Sequence, residues 1–269
     1  MPPARGCGRL GRCGAAEDLR RPRHGMTADK ADAGAFFLHL PKVDLHRHLE
    51  GSLRLDTMLE LAADAGLDFP STPPTLRPRV RMQADEVWNW ENFLAKFDTL
   101  RRFYRSPDVI RRITSEAIAD AAADNIVYLE LRFTPATLAR NRGFALPDVF
   151  EWVEHAAAEA GAEHGIRVGL IASVNRHDPV AEAEQVARIA GDRLGGLVVG
   201  LDLAGNEVEF PAQQFEGVFR EARQDGMRIT VHAGEWTGAD SGRHALETMP
   251  ADRIAHGVRV MDDPAVVAL

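Results

Sequence analysis

Six short apolar runs recur along the chain: KVDLHRH (42–48), IVYLELRF (126–133), RVGLIASV (167–174), LVVGLDLA (197–204), RITVHAG (228–234) and RIAHGV (253–258). They are rich in Val, Ile and Leu. Their apolar content is mostly continuous rather than alternating, the pattern of strands covered on both faces. The stretches between them carry helix signals. SPDVIRRITSEAIADAAADN places Ser106 as an N-cap and Pro107 at the first helical position. LPDVFEWVEHAAAEAGAEHG repeats the proline start and stops at Gly165. PVAEAEQVARIAGDR and PAQQFEGVFREARQDG read the same way. The long segment 49–125 predicts helices and a Pro-rich loop, FPSTPPTLRP (69–78), with no further strand.

Strict alternation of strand and helix predicts an α/β fold with a parallel sheet. No glycine-rich dinucleotide fingerprint follows any strand, so the expectation is a (β/α)8 TIM-type barrel rather than a doubly wound sheet. The count is six of eight βα units, and the chain stops at DDPAVVAL, in the helix expected after strand six. The expectation is therefore a C-terminally truncated, incomplete barrel whose first and sixth strands are open edges.

Composition narrows this little. The 269 residues are 45% apolar, enough for a sizeable core. Net charge is −8 with no basic stripe in the body, so neither nucleic acid nor a membrane is an expected partner. The only cysteines, Cys7 and Cys13, cannot staple the body, and their scarcity suits a cytoplasmic setting. Residues 1–25 hold six Arg against two acids, with five Gly and three Pro. They lack apolar periodicity, so residues 1–35 are expected to be a disordered or misassigned leader, with Met26 as the alternative start. Residues 36–269 are the expected barrel.

In such barrels the chemistry sits at the C-terminal ends of the strands. Those ends supply His46 and His48; Arg132 and Thr134; Asn175 and His177; Gly205 and Glu207; His232 and Glu235; and His256. His46 and His48 are two apart on one strand and so point the same way. Two convergent imidazoles suit a divalent metal, zinc first; the alternative is one packed and one solvated histidine. With His232 they make a zinc site with an open position, able to activate a bound water. Glu235 is placed to exchange a proton, or is a solvated loop carboxylate. His256 either holds the attacking water or is a satisfied core histidine.

Taken together, HRHLEG, FLAKFD, YLELRFTP, GLDLAGNE, TVHAGE and RIAHG resemble the adenosine deaminase family from about residue 38 to residue 269. The resemblance implies one zinc per chain on His46, His48 and His232. It implies Glu235 as the proton shuttle to purine N1 and His256 beside the metal-bound water. It also implies substrate contacts from His48, Glu50, Gly205, Phe93 and Phe97. Gly205 matches a glycine whose backbone approaches the purine. Trp90, Phe93, Leu94 and Phe97 share one helical face, which in the family lies over the substrate; plain core packing is the alternative. The implied partner is a small purine nucleoside or base, deaminated at C6 within purine metabolism or salvage.

The family completes its zinc site with an aspartate at the end of strand eight and binds purine N7 with a second. Neither has a counterpart before Leu269. Glu50 stands where adenosine-specific members typically carry aspartate, and Asn206 replaces a commonly acidic residue. Both leave free adenine or a modified adenosine open as substrate. An inactive metal-binding remnant, or another zinc amidohydrolase or phosphoesterase on the same barrel, are the competing readings. Two-metal enzymes usually need a bridging lysine or carboxylate from strand four, and DLAGNE offers no lysine.

Overall fold

The structure, a computed structural model, describes residues 30–269. Cys7, Cys13, Met26 and residues 1–29 of the expected leader lie outside the described residues. The described part divides after Phe37: a unit spans Leu38–Leu269, and the start of helix α1 (Lys30–His39) precedes it.

Within that unit the elements run β1 (Lys42–His48), α2 (Leu55–Asp64), α3 (Pro73–Val80), α4 (Trp90–Arg101), α5 (Pro107–Ala123) and β2 (Ile126–Phe133). There follow α6 (Pro135–Arg142), α7 (Leu146–His164), β3 (Arg167–Asn175), α8 (Val180–Gly191), β4 (Val198–Ala204) and α9 (Glu216–Gln224). The last are β5 (Arg228–Ala233), α10 (Ala239–Glu247), β6 (Arg253–His256) and α11 (Pro264–Val267). All six strands are parallel and pair in sequence order, so β1 and β6 are the two edges. The sheet curls: the rings of His46 on β1 and His256 on β6 lie 4.6 Å apart across its interior. The fold is an incomplete (β/α)8-type barrel.

The helices form where capping and periodicity coincide. Ser106 accepts a hydrogen bond from the Val109 N–H, and Pro107 occupies the first turn, where no N–H is needed. Losing such a cap costs about 1 kcal/mol. Ile110, Ile113, Ala117, Ile118 and Ala121 then bury one face of α5. Gly165 ends α7 in the left-handed conformation, with φ of 66°. β3 is buried along nearly its whole length, as its unbroken apolar run requires.

One expectation is corrected. The Pro-rich segment is not simply a loop: Pro73–Val80 is helical. Pro73 and Pro74 sit in the first turn, where proline is tolerated, and burial of Leu76 and Val80 holds the turn despite Pro78. No helix among the described residues is long and apolar enough to cross a membrane.

Candidate active site

Strand register decides what meets at the C-terminal rim. Ser173 on β3, Asp202 on β4 and Thr230 on β5 are register partners. Both hydroxyls donate to Asp202, from Thr230 Oγ1 at 2.6 Å and from Ser173 Oγ at 3.1 Å. Arg132 Nη1 adds a contact at 3.2 Å, and its Nη2 donates to the Leu45 carbonyl. Burial would push the Asp202 carboxyl up; His232 and Arg132 outweigh it and hold the group well below the usual range. An ionised acceptor therefore faces His232 Nδ1 at 3.1 Å. That contact puts the proton on Nδ1 and turns the Nε2 lone pair outward.

The outward nitrogen meets two others. His232 Nε2 lies 3.1 Å from the Nε2 atoms of both His46 and His48, which are themselves 3.3 Å apart. These three are the one potential metal-holding cluster among the described residues. Burial, then Arg132, pushes His46 down to about 3, and burial pushes His48 well below its ordinary value. Three imidazoles crowding their ring nitrogens together have no mutual reason to do so. A cation between them supplies one, and tetrahedral zinc at ~2.0–2.1 Å per bond requires donor separations of about 3.3–3.4 Å. The donor set thus fits zinc.

A cavity of about 230 Å³ opens above these nitrogens. Glu235 and His256 border it, with Glu235 Oε2 3.5 Å from His256 Nε2. Burial raises the Glu235 carboxyl; it lowers His256 to about 4. Phe93, Leu94 and Phe97 on α4 form one wall, and the Phe97 ring packs edge-on to His48. Glu50 is buried on the floor. Tyr104 fixes its turn by donating to the Leu49 carbonyl, and Glu50 Oε1 accepts the Thr134 N–H at 2.7 Å. Glu50 Oε2 is buried with no hydrogen-bond partner. Gly205 takes φ of +92°, and an added Cβ would crowd the Arg176 nitrogen at 3.3 Å.

His46, His48, Glu50, Phe93, Phe97, Gly205, His232, Glu235 and His256 thus line one cavity. Trp90 does not border it. Three other strand-end residues lie elsewhere. His177 turns away toward Phe210, Arg132 is buried behind the imidazoles, and Glu207 is buried under the segment after β5. Sequence reasoning missed Asp202, whose signal was a lone carboxylate inside an apolar run. It also missed Arg101, one turn beyond Phe97 at the cavity rim, and the buried Arg176, which has no sequence signal.

Residues 41–269 match the family profile described as adenosine deaminase. The adenosine deaminase of Erwinia tasmaniensis is 38% identical over 230 residues, covering 85% of this chain and 68% of that one. Among solved structures, a zinc-bound amidohydrolase from Burkholderia ambifaria superposes with a TM-score of 0.80 at 29% identity, covering 91% of this chain and 66% of its own. The adenine deaminase of Arthrobacter aurescens gives 0.76 at 27%, covering 85% and 68%. The chain thus spans about two-thirds of the length of these relatives.

Proposed function

Because the chain belongs to the adenosine deaminase family, we propose that it hydrolyses the C6–amino bond of a 6-aminopurine, adenosine first, within purine metabolism. The observation that carries this is the convergence of three imidazole Nε2 atoms in a cavity also bordered by Glu235 and His256. His46, His48 and His232 would hold one zinc ion, which when bound supplies Lewis acidity that lets a water lose its proton near neutral pH.

The side chains do the rest. Glu235, held protonated to higher pH by burial, donates to purine N1 and makes C6 electrophilic. His256, uncharged at neutral pH, is an acceptor for the proton of the attacking water. Water oxygen bonds to C6 as one water proton passes to His256; that proton goes on to the amino nitrogen, the C6–N bond breaks and ammonia leaves, while the C6 hydroxyl proton returns to Glu235, giving the 6-oxo purine protonated at N1. Phe93, Leu94 and Phe97 cover the base and exclude bulk water. The chain loaded with zinc and mixed with adenosine should release ammonia with loss of the adenosine absorbance band. Failure to release ammonia from any 6-aminopurine removes the proposal.

Glu50 admits a second reading, in which the free base is the substrate. Its unpartnered buried Oε2 is an acceptor awaiting a donor. The N9–H of a free aminopurine supplies one, and so does a ribose hydroxyl of a nucleoside. A kcat/KM for adenine above that for adenosine would select the base as substrate, and the reverse order would select the nucleoside.

A further inference from the structure

Five donors converge on one side chain outside the cavity. The backbone N–H groups of Gly234, Glu235, Trp236 and Thr237 all donate to the Glu207 carboxylate, at 2.7, 3.1, 2.9 and 3.2 Å, and the Ser241 hydroxyl donates as well. Two carboxylate oxygens offer about four acceptor sites, so this set saturates them. Glu207 is 5% exposed and has no capacity left for substrate or metal.

The route by which it arrives there is built into the end of β4. Gly205 bends the chain through positive φ. Asn206 Oδ1 then accepts from the Val208 and Glu209 N–H groups, shaping a turn that sends Glu207 beneath the neighbouring loop. The segment is gripped at its other end too. Arg176, itself buried, donates to the His232 carbonyl and, at 3.4 Å, to that of Phe210.

We propose that Glu207 is a positioning residue for Glu235: it fixes the backbone of 234–237, so that the reactive carboxylate enters the cavity in one orientation. This rests on the reading above that Glu235 is the proton donor. Four successive N–H groups pointing to one side cannot pair in a strand or helix. Without a charged acceptor they stay unpaired or the segment refolds, and either change displaces Glu235. The buried carboxylate is thereby accounted for without any contact to substrate.

Two variants test this, Glu207→Gln and Glu207→Ala, each loaded with zinc. Hydrogen–deuterium exchange should show the amides of 235–237 exchanging about ten-fold faster or more, with β4 and β5 protection unchanged. Zinc content should match wild type and KM should hold within about two-fold, while kcat falls about 100-fold, the cost of a misplaced catalytic group. A merely structural role would lower kcat only in proportion to lost zinc or lost folded protein. That result overturns the proposal, as does full protection of those amides in either variant. Should the wild-type chain deaminate no aminopurine, the functional reading fails by itself. The exchange pattern still decides whether Glu207 holds the segment.

Discussion

At the scale of single residues, His232 is constrained at both ring nitrogens, one against Asp202 and one against the other imidazoles. Asp202→Asn keeps the volume but removes the ionised acceptor that sets the tautomer. Zinc affinity should fall about 10–100-fold, measurable by competition with a chromogenic chelator. An unchanged affinity would mean that the ring orients itself without Asp202. Glu235→Gln separates chemistry from metal. The amide cannot donate an acidic proton, so turnover should drop by a factor of about 10² to 10⁴ with zinc content intact. Retained ammonia release would assign the proton to another group. Both changes conserve shape, so misfolding is a poor explanation for either outcome.

At the scale of elements, α4 contributes a wall and β4 a support. Phe97 is half-buried and packs on His48 and Phe93, so Phe97→Ala leaves most of the core intact. Loss of an aromatic face against a base is worth about 1–3 kcal/mol, so KM should rise about ten-fold with kcat little changed. A fall in kcat at constant KM would instead make α4 part of the reacting geometry. The Glu207 carboxyl yields a pH dependence. Burial would raise it, but the Ser241 hydroxyl and the N–H groups of Trp236 and Thr237 prevail, and it lies below its ordinary 4.5. A folded-state value that is depressed stabilises the fold above the unfolded value, and that stability is lost as pH falls through the folded one. Glu207→Gln has no such proton to bind. The gap in urea midpoint between wild type and this variant should therefore close as pH drops from about 6 towards about 3. A gap independent of pH would mean that the charge of Glu207 contributes nothing.

At the scale of the whole molecule, β2 to β5 were legible because buried parallel strands need unbroken apolar runs, whereas β1 and β6 are only partly buried. The strands β1, β5 and β6 end at His48, Ala233 and His256, where the chemistry-bearing side chains gather. The convergence of His46, His48 and His232 was legible because β1 and β5 carry their imidazoles at the same strand end. What a linear pattern cannot carry is partnership. Asp202 and Glu207 are both carboxylates near the end of β4, yet one faces His232 and the other turns beneath the next loop. Only the turn at Gly205 and Asn206 separates their fates.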